Sequence, residues 1–149
     1  MDTVTNILIR SHSGLRWVVL ALMLAAIINA IMKKTSGKYT PVDRKINMFA
    51  MISLHIQLVL GLALYGISNK VNFSEMFSSP ANRFFGVEHF FGMLLAIILV
   101  TIAHSKSKKM ADVNKKHRII MIGYTFGLII VLASIPWPFR ANLGVSTWF

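Results

Sequence analysis

This chain has no cysteine and very few acidic residues. The absence of cysteine among the 149 residues excludes disulfide bonds, thiolate metal sites, covalent c-type haem attachment and thiol catalysis. Only five Asp and Glu stand against sixteen Lys and Arg, giving a net charge of +11. Such a charge raises the question of nucleic-acid binding. The basic residues lie beside hydrophobic runs, where they are typical topology signals, so we expect no nucleic-acid partner.

Charged residues of both signs are also scarce, and long apolar runs take their place. The chain is 55% hydrophobic and 14% charged, whereas about a quarter of a soluble domain is charged. Four runs, residues 15–32, 46–67, 84–103 and 119–135, approach the roughly 20 residues that cross a bilayer as a helix. Lipid offers no partner to free backbone groups, so each run must be helical. The sequence predicts a single all-α transmembrane domain over residues 1–149, an integral membrane up-down four-helix bundle.

The basic residues predict the direction of the helices. Five of the sixteen Lys and Arg fall in the first loop, residues 33–45, and six in the third, residues 104–118. By the positive-inside rule these two loops are cytoplasmic, which places the N-terminus and C-terminus outside. Trp17, Tyr65 and Trp137 lie towards the outer face, where amphipathic rings favour the headgroup level.

Polar side chains inside the spans are the candidates for function, because each one is costly in lipid. The candidates in the first two spans are His12, Arg16, His55 and Gln57; the third span adds His89. At about 1.5 Å per residue, His55 lies roughly two turns deeper than His89, whereas His12 stands near the depth of His89. Imidazoles from facing helices can hold a haem in a bundle core, so His12 and His89 are the predicted pair.

Two glycines share a helix face with His89. Gly86 precedes it by three residues and Gly92 follows it by three, which predicts a bare face for a flat macrocycle. Arg16 lies one turn from His12 and has three candidate roles: an ion pair with a haem propionate, an ion pair with Glu88, or snorkelling to the interface.

Each histidine also has a structural interpretation. His12 can be an interfacial side chain bonded to water or lipid, and His89 can bond another helix. For His55, an interhelical hydrogen bond and ligation at a second site stay open. Gln57 shares a face with Gly61, which suits close helix contact. His104 and His117 stand among lysines, so we expect solvated basic surface there.

Three stretches carry a family resemblance: HSGLRWVVLALMLAAI in the first span, SLHIQLVLGLALY in the second and NRFFGVEHFFGMLLAIILV in the third. The pattern resembles one half of a haem A synthase, a four-helix bundle with a histidine near one helix end, a Gln-x-x-Leu-Gly run, and an Arg followed by a His. Gln57 opens the second element, Arg83 and His89 form the third, and His12 matches the first. The chain is also similar to small bacterial four-helix proteins described as cytochrome b-like. The resemblance implies haem contact through His12 and His89, without methyl oxidation.

These observations predict a b-type cytochrome of a bacterial inner membrane. His12 and His89 would bind haem b near the outer leaflet, with His55 as a candidate ligand at a second site. The protein would transfer single electrons between membrane quinone and an outer-side partner in the respiratory chain; the sequence favours an electron-transfer protein or accessory subunit over a stand-alone enzyme and leaves the enzyme question open. The rival hypothesis is a haem-free structural or assembly subunit of a larger membrane complex; self-association into a homo-oligomer also stays open.

Overall fold

Four long helices make up the fold. It is seen in a computed structural model that describes residues 3–68, 71 and 73–144. The helices are Thr3–Lys33, Pro41–Ile67, Pro80–Lys109 and Val113–Ser134, and each is long and apolar enough to cross a membrane. No strand occurs in the described parts of the chain. The predicted all-α, multi-pass membrane class is therefore confirmed.

The helices extend beyond the predicted apolar runs because capping residues, and not hydropathy alone, set their ends. Thr40 begins the second helix with a capping box: its hydroxyl accepts from the backbone N–H of Asp43, and the Asp43 carboxylate accepts from the backbone N–H of Thr40. Ser79 and Asp112 cap the third and fourth helices in the same position. The fourth helix ends at Ser134, just before Pro136.

The helices pack as an antiparallel ring. The first helix contacts the second and the fourth, and the third contacts the fourth most extensively. Among neighbouring helices, the second and third have the smallest contact. Glycine allows the close approach of the third and fourth helices, since a Cβ on Gly123 would lie 2.3 Å from Cβ of Ala103. On Gly127 a Cβ would lie 2.7 Å from Cγ2 of Val100.

A buried carboxylate joins the first and second helices at the lysine-rich end of the bundle, the end formed by residues 33–45 and 104–118. Asp43 is fully buried and accepts from Nζ of Lys33 at 2.6 Å and from Nδ2 of Asn29 at 2.8 Å. Its other oxygen accepts from Thr40. Such a carboxylate is tolerated because every oxygen has charged or hydrogen-bonding partners.

Packing differs between the two halves of the bundle. The main apolar core lies in the half near the lysine-rich end, around Met23, Ala50, Val100 and Ile120. Towards the opposite end, the first three helices bury no residue over 6–18, 55–67 and 87–95. Buried side chains in that half come from the fourth helix and from Thr5, Phe84 and Leu143. The half that contains His12 and His89 therefore has the smaller share of fully buried side chains from the first three helices.

Candidate functional site

His12 and His89 meet inside the half of the bundle opposite the lysine-rich end. Their rings come from the first and third helices, and their centroids lie 6.2 Å apart with the ring planes at 70°. The two helices are diagonal partners in the ring, so the pair bridges the bundle centre. The depth estimate from helical rise predicted this pairing.

One ring nitrogen of His89 is fixed by the fourth helix. Nδ1 lies 2.6 Å from the backbone oxygen of Ser134. A carbonyl oxygen only accepts, so Nδ1 carries the proton and donates, which makes Nε2 of the neutral ring an electron-pair donor. A carbonyl on one nitrogen is the arrangement that fixes the tautomer of a metal-ligating histidine.

The face with Gly86 and Gly92 is covered, which corrects the expectation of two bare patches. A Cβ on Gly92 would lie 2.1 Å from Oγ of Ser134, so this glycine lets the fourth helix reach His89. A Cβ on Gly86 would lie 3.0 Å from Cγ of Met76. Gly92 therefore serves the His89–Ser134 hydrogen bond, and the space for a ligand has to be sought elsewhere around the ring.

A π-helical turn over Phe84–Glu88 directly precedes His89. Such turns insert one residue into a helix and rotate the next part of the helix about its axis, and they are frequent at functional sites. The hydroxyl of Tyr65 donates to the backbone oxygen of Gly86 at 2.6 Å, which ties the turn to the second helix. The phenyl ring of Phe84 lies 5.9 Å from the His89 ring, centroid to centroid. Hydropathy carried no signal for this turn.

His12 is held by the second helix. Nε2 of Gln57 donates to the backbone oxygen of His12 at 2.7 Å, and one turn along, a Cβ on Gly61 would lie 3.2 Å from Cε1 of the His12 ring. The shared face of Gln57 and Gly61 is thus the contact surface for His12. Nδ1 of His12 is buried and has no hydrogen-bond partner among the described residues. A buried ring nitrogen of this kind is an unmet coordination or hydrogen-bonding capacity.

Arg16 lies beside two indole rings that contact each other. Its guanidinium carbon is 5.2 Å from the centroid of the Trp17 ring and 5.8 Å from that of Trp137. Glu88, one of its predicted partners, instead accepts from Nε of Arg83 at 2.7 Å. The Arg16–Glu88 alternative is therefore replaced by cation–π contacts one turn from His12.

His55 lies apart from the His12–His89 pair. Its Nδ1 is 2.8 Å from the backbone oxygen of Met51, and its Nε2 is 3.5 Å from Oγ1 of Thr101. Thr101 follows His89 by twelve residues, about 18 Å along the helix axis. His55 lines a groove of about 520 Å³ between the second and third helices, towards the lysine-rich end.

His104 and His117 are buried, and the expectation of solvated surface is wrong for both. Nε2 of His117 lies 2.9 Å from the backbone oxygen of Lys38, and Nδ1 of His104 lies 3.4 Å from the hydroxyl of Tyr124. The available signal was helical spacing, since Val100 precedes His104 by four residues on the core face. The neighbouring lysines instead suggested a solvated surface.

The polar cluster at this end also contains Tyr39. Its hydroxyl accepts from Nδ2 of Asn47 at 3.1 Å, and its ring lies 5.1 Å from that of His117. Burial raises the pKa of the Tyr39 phenol above its usual value, so the hydroxyl stays protonated. These contacts join the first loop to the second and fourth helices at the lysine-rich end, which is a structural role.

The donor set limits what the site can hold. Across the described ranges, no three His, Cys, Asp or Glu side chains come together to bind a bare metal ion. Two facing imidazoles suffice for a haem iron, because the macrocycle supplies four more nitrogens. Comparisons with protein-family models, with curated proteins and with solved structures find no match to this chain.

Proposed function

We propose that this chain is a small b-type cytochrome of a bacterial inner membrane, in which His12 and His89 would hold one haem b. The observation that carries the proposal is the approach of these two rings to a centroid separation of 6.2 Å. No other histidine pair of the described residues joins two diagonal helices through a ring contact.

The separation suits two bonds to one iron. Two metal–imidazole bonds of about 2.0 Å, together with about 1.1 Å from each nitrogen to its ring centroid, require about 6.2 Å between centroids. A 70° angle between ring planes is compatible with two imidazoles rotated about a shared axis. The donor set, two neutral imidazoles without thiolate or carboxylate, suits a b-type haem.

Buried polar atoms support the same site. Nδ1 of His12 and Oε1 of Gln57 are buried and have no hydrogen-bond partner among the described residues. Buried polar atoms normally have partners, so this unmet bonding capacity suits a bound ligand. The position of Arg16, one turn from His12, suits an ion pair with a propionate.

The protein's own groups would orient both ligands. The Ser134 carbonyl holds the proton of His89 on Nδ1, and Gln57 holds the backbone of His12. Outer groups of this type set ligand orientation and basicity. When bound, a haem held by two imidazoles would supply one-electron transfer. The proposed role is therefore electron transfer between membrane quinone and a partner outside.

The proposed orientation places the lysine-rich end in the cytoplasm, by the positive-inside rule. The native chain has no cysteine, so single cysteines give a clean test. A membrane-impermeant maleimide should label Phe77→Cys in intact cells and Ser36→Cys only after lysis. The reverse labelling pattern would invert the topology.

The competing function is a haem-free structural or assembly subunit of a larger complex. The observation in its favour is that hydrogen bonds within the chain already engage His89 and Gln57. The small-residue contact of Gly123 with Ala103 is satisfied within the chain, whereas Ala21 and Ala25 of the first helix are exposed and could meet a partner helix.

A pyridine haemochrome assay on purified protein tests the proposal. Wild type should bind one haem b per chain, and His12→Ala and His89→Ala should bind less than a tenth of that. His55 lies at a different depth from His12 and His89, so His55→Ala is the matched control and should bind as much haem as wild type. His89→Met retains an axial donor and should bind haem with a shifted α-band. Monodisperse wild type without haem after haem supplementation would refute the cytochrome and favour the subunit hypothesis.

A further inference from the structure

The groove between the second and third helices has a polar end and an apolar end. Its third-helix wall runs through Thr101, His104 and Lys108, and the last of these lies nearest the lysine-rich end. Ile56 and Val59 of the second helix line the deeper part and are 50% and 66% exposed. The groove therefore opens to the lipid and has a length of about 16 Å along the second helix, from residue 48 to residue 59.

His55 offers this groove a hydrogen-bond acceptor that has no well-placed donor. Its Nδ1 donates to the Met51 carbonyl at 2.8 Å, so Nε2 of the neutral ring can only accept. The nearest hydroxyl, that of Thr101, already donates to the Ile97 carbonyl at 2.7 Å. The 3.5 Å from that hydroxyl to Nε2 is beyond a good hydrogen bond. The groove thus needs a hydrogen-bond donor at the depth of His55, in the middle of the second helix.

The depth of this acceptor decides between two kinds of amphiphile. A phospholipid would keep its headgroup near Lys108 and place an acyl chain against His55, leaving Nε2 without a donor. An isoprenoid quinol has hydroxyl groups on a flat ring and a wholly apolar tail, so it can carry a donor into the apolar region. The exposed Ile56 and Val59 then offer an apolar track for the tail.

We propose that this groove binds the head of an isoprenoid quinol, with one quinol hydroxyl donating to Nε2 of His55. The proposal rests on the quinone link of the proposed function and assigns it a site. Thr101 and His104 flank the head, and Lys108 closes the end towards the headgroup layer. His55 is thereby a binding residue for the quinol and not a second haem ligand.

Photolabelling with an azido-ubiquinol in phospholipid nanodiscs tests this site without depending on haem. In wild type, mass spectrometry should find the label within residues 48–59 and 101–108, and excess decylubiquinol should compete with it. His55→Leu should reduce labelling there about tenfold, whereas His55→Gln, which retains an acceptor, should keep most of it. Phe126→Leu, an exposed residue of the fourth helix, is the control and should label as wild type.

The outcomes separate this proposal from the haem proposal. Labelling that is unchanged in His55→Leu, or that phosphatidylglycerol displaces while decylubiquinol does not, would overturn the quinol site and favour a bound lipid. His12→Ala should lose haem and still label in the groove. If wild type contained no haem but labelled in a His55-dependent manner, the quinol site would stand and the cytochrome would fall.

Discussion

The close contact between the third and fourth helices makes a quantitative prediction for Gly123→Ala. The added Cβ would lie 2.3 Å from Cβ of Ala103, whereas carbon atoms in contact sit about 3.5–4.0 Å apart. Neither atom is at the end of a flexible side chain, so the two helices must separate locally by about 1.2 Å or more. Overpacking of this kind costs about 1–3 kcal/mol.

The higher helix propensity of alanine offsets part of the overpacking cost, and a control variant allows this contribution to be subtracted. Alanine is favoured over glycine inside a helix by up to about 1 kcal/mol. Gly14 has no atom within 4 Å of its would-be Cβ, so Gly14→Ala gains the propensity without a clash. The difference in free energy of unfolding between the two variants should therefore equal the overpacking cost, about 1–3 kcal/mol.

The measurement is a denaturant titration of purified protein in mixed micelles, followed by far-ultraviolet circular dichroism. Gly123→Ala should unfold at a lower denaturant concentration than Gly14→Ala. The double variant Gly123→Ala/Ala103→Gly moves the methyl group to the other helix and should recover most of the loss. Equal stability of the two single variants would refute the close approach of these helices.

Three further changes test other contacts of the bundle. Asp43→Ala leaves Lys33 without its buried partner and should cost on the order of 3 kcal/mol in the same titration, with a smaller loss for Asp43→Asn. Tyr65→Phe removes the hydrogen bond to Gly86 and should cost about 1 kcal/mol, with faster amide exchange in the π-helical turn; unchanged exchange would contradict the contact. Gln57→Leu releases the His12 backbone and should weaken haem affinity about tenfold, measured by haem transfer to apomyoglobin; unaltered transfer would remove Gln57 from the site.

The four helices and their class could be predicted from composition alone. Lipid accepts no unpaired backbone group, so an apolar run of sufficient length has one conformation open to it. The capping box of Thr40 and Asp43 was not predicted, although both residues are close in sequence. Interactions this local depend on no other part of the chain.

Part of the candidate site was also predictable. The depth of His12 and His89 follows from helical rise, which is constant, and that calculation separated them from His55. The direction in which His89 points from the helix axis could not be predicted. The π-helical turn at Phe84–Glu88 changes this direction and leaves no hydropathy signal.

By itself, the sequence determined the number and class of the helices and the relative depths of His12, His55 and His89, because hydropathy and rise per residue act along one chain. Only the tertiary structure decided which groups meet across helices. The Ser134 carbonyl on His89, the burial of His104 and His117, and the open groove beside His55 all depend on how far two helices approach. That distance is set by pairs of residues far apart in sequence, such as Gly92 and Ser134, and no single stretch encodes it.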